Sequence, residues 1–233
     1  MIAYMYHNID KPPKEAKLKT LYLKPSMFKR QLYILSKLGY KSISGKDNLL
    51  NIDLEKNYEK KIVLLTFDDG YKDFIQNAYP TIEEYGYKAI IFVVANEIGN
   101  FNRWDYKVLN VKKYLMDLED LRFLIKKGFI IGSHTLNHPF LTKISKEEAK
   151  KEIDYSKKLL EDKLGVAIET FCYPYGDYNQ DIAKMVEEAG YKYAFTTKDG
   201  KIKDSEDRFQ LKRINIFGNT YLPKFILKTV RSE

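Results

Sequence analysis

Two kinds of apolar pattern alternate along this chain. Short uninterrupted runs recur, as in Ile62-Val63-Leu64-Leu65 and Ala89-Ile90-Ile91-Phe92-Val93-Val94. Runs of that kind, bounded by turn residues, predict strands buried on both faces. The strands expected are 2–6, 40–43, 62–67, 88–94, 129–132, 168–173, 193–197 and 211–216. Between them, apolar residues fall at helical spacing. Phe28, Leu32, Leu35 and Leu38 line a helix that starts at Pro25 and stops at Gly39. Further helices are expected over 73–85, 117–127, 145–164, 181–189 and 222–230. The clearest is 145–164, where Ser145 and Glu148 form a capping box. Ala149, Ile153, Ser156, Leu160 and Leu164 share one of its faces. Residues 10–24, 45–60 and 96–116 read as loops.

Strand and helix alternate about eight times with no sequence repeat and no linker-like stretch, which predicts an α/β fold with a parallel sheet. The polar residues that interrupt the pattern narrow the choice. His7, Asp68-Asp69, His134 to His138, Pro174-Tyr175 and Arg213 all fall at or just beyond the C-terminal ends of expected strands. In a closed (β/α) barrel those ends share one rim, whereas an open sheet would spread them along an edge. The expectation is a (β/α) barrel of seven or eight strands, forming one domain over residues 1–233.

Composition adds few constraints. A chain of 233 residues, 44% hydrophobic, is long enough for one sizeable core. The net charge of +8 comes mainly from scattered lysines. That pattern fits a solvated basic surface, or attraction to an anionic polymer such as an acidic cell envelope. No nucleic-acid-binding signature is present. The single cysteine, Cys172, excludes an internal disulfide and a thiolate metal cluster. No apolar run is long enough to span a bilayer. The first residues lack a basic region followed by an apolar core, so they do not read as a signal peptide.

The candidate chemistry lies in Thr66-Phe67-Asp68-Asp69-Gly70 and in His134-Thr135-Leu136-Asn137-His138. Adjacent carboxylates repel unless a cation is close. By itself the aspartate pair also suits Mg²⁺ and phosphoryl chemistry. By itself His-x-x-x-His also suits one capping and one surface histidine. Together they can supply two imidazoles and a carboxylate to one divalent ion, with positions left for water and substrate.

These residues also carry a family resemblance. Thr-Phe-Asp-Asp-Gly, Ser133-His134-Thr135-Leu136-Asn137-His138 and Tyr173-Pro174-Tyr175-Gly176 resemble the first three motifs of the polysaccharide deacetylases. These are the NodB-homology enzymes of carbohydrate esterase family 4. The resemblance runs from Met5 to about Ile216. It implies a distorted (β/α) barrel that removes N-acetyl groups from chitin-like, peptidoglycan or poly-N-acetylglucosamine chains, outside the cytosol or at the cell envelope. It also implies one divalent metal, zinc in the first place, with iron, cobalt, nickel or manganese as alternatives. Carried over, Asp69, His134 and His138 are the metal ligands and Asp68 the general base. The backbone N–H of Tyr175, next to Pro174, faces the substrate oxyanion.

Two departures stand out. Cys172 occupies the place of the usual third-motif arginine, and no histidine follows His138 to serve as the late general acid. Met5-Tyr6-His7-Asn8 resembles a branch with permuted motif order, related to poly-N-acetylglucosamine deacetylases. There the acid comes from the N-terminal end, so His7 is expected to be the general acid. The other reading of His7 is a cap on the first strand. Arg213, grouped with the substrate-side residues, is expected to replace the missing arginine and orient Asp68. A purely structural ion pair is its other reading. Trp104 is expected to wall the substrate groove, or else to pack in the core. Two competing functions remain at this level: a glycan-binding protein with a degenerate deacetylase site, and a Mg²⁺-dependent phosphoryl hydrolase. The second lacks a Gly-rich phosphate loop.

Overall fold

The computed structural model describes residues 1–42, 61–203 and 207–230. The loop expected over 45–60, and the last residue of the strand expected over 40–43, lie outside the described residues. The strands are β1 (Ile2–Tyr6), β2 (Lys41–Ser42), β3 (Ile62–Phe67), β4 (Ala89–Val93), β5 (Ile130–Ser133), β6 (Thr170–Cys172), β7 (Tyr193–Asp199) and β8 (Leu211–Asn215). The helices are α1 (Pro25–Lys37), α2 (Tyr79–Glu84), α3 (Tyr106–Leu109), α4 (Leu118–Lys126), α5 (Lys146–Leu164), α6 (Gln180–Glu188) and α7 (Leu222–Val230).

All strand pairings are parallel, and β1 pairs with both β3 and β8. That double pairing closes the sheet into a barrel of seven strands. The remaining strand, the two-residue β2, hangs on the β3 edge outside the ring. Closure depends on the first strand of the chain, which slots in beside β3 in register from Ile2 opposite Val63 to Tyr6 opposite Phe67.

Side chains alternate across each strand, so the barrel has an outer and an inner core. The outer core packs Tyr4, Tyr6, Phe67, Ile91 and Val93 against Phe28 and Leu32 of α1, Leu121 of α4 and Ile153 of α5, among others. The inner core is small: Ala3, Leu64, Ile90, Phe92, Cys172, Phe195 and Leu211 fill the barrel. Gly132 makes this packing possible, because a Cβ there would overlap the Phe92 ring and Thr170 Oγ1.

Two expectations need correction. The segment expected as one helix over 73–85 begins as a π-helical turn, Phe74–Ala78, and only then becomes α2. Pro80 lacks the N–H that a continuous α-helix would need there. The wider turn accommodates this, with the Tyr79 N–H bonding the Phe74 carbonyl. The stretch expected as loop over 96–116 contains α3 and pairs with itself and its neighbours through bridges at Phe101–Tyr114 and Tyr71–Leu115. Among the described residues no helix is long and apolar enough to cross a membrane.

Candidate active site

The C-terminal rim is where the backbone departs from ordinary geometry. Among the described residues, the non-glycine ones with left-handed backbone are Asp69 (φ 73°), Asn110 (57°), Thr135 (67°), His138 (63°) and Tyr175 (58°). All but Asn110 belong to the three sequence motifs. Such conformations persist only where surrounding contacts enforce them. The loop after β5 shows how. The Leu136 and Asn137 N–H groups donate to Glu152 Oε2 of α5, at 2.9 and 2.8 Å. The His138 N–H donates to Thr135 Oγ1 at 2.9 Å.

These turns bring Asp69, His134 and His138 together. Asp69 Oδ1 lies 3.4 Å from His134 Nε2 and 3.3 Å from His138 Nε2, with all three side chains buried. His134 Nδ1 is 2.7 Å from the Cys172 carbonyl oxygen. That oxygen can only accept, so Nδ1 carries a proton and Nε2 is the nitrogen that faces Asp69: while protonated it donates to the carboxylate, and once that proton leaves it turns a lone pair toward a cation. Burial alone would raise the Asp69 pKa, but hydrogen bonds from His134 and His138 outweigh it and hold it well below the usual carboxylate range. Two imidazole nitrogens and one ionised oxygen within 4.8 Å of one another form a donor set that fits a divalent metal.

Asp68 has a different environment. Arg213, fully buried, reaches it with both terminal nitrogens, Nη1 to Oδ1 at 2.6 Å and Nη2 to Oδ2 at 2.8 Å. The guanidinium is itself fixed by donating from Nε to the Thr196 carbonyl (2.9 Å) and from Nη1 to Thr66 Oγ1 (3.0 Å). Burial pushes the Asp68 pKa up, and the Arg213 charge and hydrogen bonds more than reverse it, leaving it lowered. Arg213 therefore touches the carboxylate from inside the barrel and presents no surface at the mouth, where the substrate-side grouping had put it. Cys172 is buried beside the pair, its Sγ 3.1 Å from Arg213 Nη2 and 3.6 Å from Asp68 Oδ2. Asp68, His134 and Cys172 also cluster closely enough to hold an ion. Arg213 neutralises Asp68 there, and burial raises the Cys172 thiol pKa, so this second set is the poorer cation site.

His7 follows β1 directly, and the β1–β3 register puts it level with Asp68. Tyr6 and Phe67, the preceding pair, stack on the outer face at 5.1 Å. Alternation then turns His7 and Asp68 to the other face. His7 is among the groups whose charge lowers the pKa of Asp68 and of Asp69. The segment carrying His7 is fastened just beyond it. Asp73 Oδ1 accepts the Ile9 N–H at 3.1 Å, and Lys113 Nζ bridges Asp73 and Asp10 at 2.7 and 2.9 Å.

Trp104 stacks on His138 with ring centroids 4.8 Å apart, and Tyr175 meets the same imidazole edge-on at 4.5 Å. Pro174 is buried and opens the short 3₁₀ turn that presents Tyr175. Every motif residue singled out in the sequence thus lies at or under one rim. The sequence reading missed Asp105. Burial and the nearby Asp69 charge push its pKa up to about 7, although Asn102 Nδ2 donates to it at 2.6 Å. It also missed Asp73 and Lys113. Asp73 stands four residues after Asp69 in a turn-forming stretch, which is a weak signal. Lys113 is one of many lysines.

Comparison with known proteins agrees with this geometry. The polysaccharide deacetylase family profile matches residues 55–194. YxkH of Bacillus subtilis (strain 168) is 29% identical over 212 residues, covering 91% of this chain and 70% of that protein. The poly-beta-1,6-N-acetyl-D-glucosamine N-deacetylase of Staphylococcus aureus (strain MSSA476) is 24% identical over 213 residues, covering 88% and 71%. Among solved structures, the Streptococcus pyogenes deacetylase PplD in complex with acetate superposes with a TM-score of 0.83. It shares 27% identity over 100% of this chain and 98% of that one. With more than half its length matched by the family profile, the chain belongs to the polysaccharide deacetylases, hydrolases of carbohydrate esterase family 4 that act on amide bonds.

Proposed function

We propose that this protein is a metal-dependent deacetylase that removes acetyl groups from N-acetylglucosamine units of a cell-envelope polysaccharide. The observation that carries the reading is the division of labour between neighbouring aspartates. Asp69 converges with His134 and His138, while Asp68 is held apart by Arg213. Asp69, His134 and His138 would hold one divalent ion, zinc being the best match to the donor set. When bound, that ion makes a water more acidic and polarises the acetamide carbonyl.

The remaining steps fall to the chain's own groups. Asp68, kept ionised by Arg213, takes the proton from the attacking water. The Tyr175 N–H donates to the carbonyl oxygen as negative charge develops on it. His7 gives its proton to the departing amine, so that acetate and a free glucosamine nitrogen result. Trp104 walls the reacting sugar from the His138 side. The competing view, a glycan binder with a degenerate site, drew its support from Cys172 standing where an arginine is usual. A guanidinium nonetheless sits on Asp68, delivered from β8 instead of β6.

Paired variants test the roles. His7→Ala should lower turnover by roughly 10²–10⁴-fold with the metal retained, the range for removing a positioned acid. His134→Ala should lose the metal itself, read by elemental analysis of the purified protein. Unchanged acetate release from N-acetylglucosamine oligomers in His7→Ala would remove that residue from the mechanism.

A further inference from the structure

We propose that Phe140 and Tyr175 form a preformed platform for the pyranose next to the reacting one in the same polymer. This rests on the deacetylase reading and adds a subsite to it. The two rings are stacked almost parallel, 3.8 Å apart at 7°. The pair is not buried: Phe140 is 46% and Tyr175 44% exposed. Exposed apolar surface beside a site is commonly a binding surface. The pair is also continuous with the site. Trp104 stacks on His138, Tyr175 meets His138 edge-on, and Phe140 extends the row by one more ring.

The row's geometry identifies the occupant. The acetamide under attack must lie at Asp69, His134 and His138. Phe140 lies one ring beyond Tyr175, so a sugar stacked there is a neighbour along the chain. A pyranose presents a face of C–H groups, which suits an aromatic face, and its hydroxyls remain in water at the rim.

The platform is held rigid before any substrate arrives. Tyr175 has left-handed backbone, and a Cβ on the following Gly176 would overlap Thr197, so that turn is pressed against β7. Asp177 accepts from the Thr142 N–H at 2.8 Å and from Thr142 Oγ1 at 2.7 Å. This clamp ties the loop after Phe140 to the loop after Tyr175. Binding to such a surface has little ordering cost.

The test uses metal-loaded protein with a β-1,6-linked N-acetylglucosamine pentasaccharide and the methyl glycoside of a single unit. In Phe140→Ala, KM for the pentasaccharide should rise about tenfold with kcat little changed, a shift equivalent to about 1.4 kcal/mol. The preference in kcat/KM for the longer substrate should fall by the same factor. Phe140→Trp, which keeps an aromatic face, should retain most of that preference. A preference unchanged in Phe140→Ala, or lost equally in Phe140→Trp, would overturn the platform. So would an equal fall on both substrates, which would mean general damage around His138. If wild type binds the pentasaccharide in calorimetry without releasing acetate, and Phe140→Ala binds it more weakly, the deacetylase reading fails and the platform stands. Absence of binding in wild type would overturn both.

Discussion

Asp68→Asn is expected to lower acetate release by roughly 10²–10⁴-fold per folded molecule, the range for losing a positioned general base, while one divalent ion remains bound. The reasoning starts from the unequal surroundings of two adjacent carboxylates. Asp69 faces the two imidazoles. Asp68 has both oxygens on Arg213 and is absent from the Asp69, His134, His138 donor set. Asparagine has nearly the same shape and can still accept from Arg213, but it cannot take up a proton. The metal content should therefore survive and the chemistry should not. If Asp68→Asn loses its ion, Asp68 belongs to the metal set and the division of roles is wrong. If it keeps both ion and rate, the base is another group.

Arg213→Met is expected to destabilise the fold by about 3–5 kcal/mol, the usual effect of removing one partner from a buried ion pair. Both members are buried here, Asp68 at 3% exposure and Arg213 at 0%, so the abandoned carboxylate would be left buried without a countercharge on either oxygen. The effect has a direction in pH. Arg213 holds the folded-state pKa of Asp68 below its ordinary value. The stabilisation is therefore present above the unfolded-state pKa and is lost as pH falls through the folded one. In Arg213→Met that contribution disappears, and the acid limb of the pH–rate profile moves to higher pH as Asp68 becomes easier to protonate. Chemical denaturation at neutral pH, together with that profile, reads both effects. Arg213→Lys should recover only part of the stability, since an ammonium cannot make the paired contact. A loss below about 1 kcal/mol would show that the pair is not the support for Asp68 that its geometry implies.

What the sequence made legible was local. The strand over 62–67 and the first strand over 2–6 coincide with β3 and β1, because uninterrupted apolar runs have little alternative to a buried strand. The helix over 145–164 was equally clear, since Ser145 and Glu148 cap it and its buried face follows the predicted spacing. Less legible were contacts made across long separations. Arg213 and Asp68 are 145 residues apart, and nothing in Leu211-Lys212-Arg213 itself states that the guanidinium turns inward. The sequence offered a stand-in for the missing arginine and an ordinary ion pair on equal terms. The lock on the His7 segment was invisible for the same reason: Lys113 and Asp10 are 103 residues apart. The π-helical turn ahead of α2 depends on Pro80, which the helical pattern over 73–85 passed over. Phe140 was not singled out in the sequence, because exposure and stacking are properties of the folded rim.

The most direct test of the account is acetate release from N-acetylglucosamine oligomers by chelator-treated protein, before and after adding back one equivalent of zinc. The account predicts no release from the metal-free protein and recovery that saturates near one ion per chain, with His134→Ala failing to recover. Undiminished release by protein shown by elemental analysis to be metal-free would contradict it, as would oligomer binding with no acetate at any metal loading.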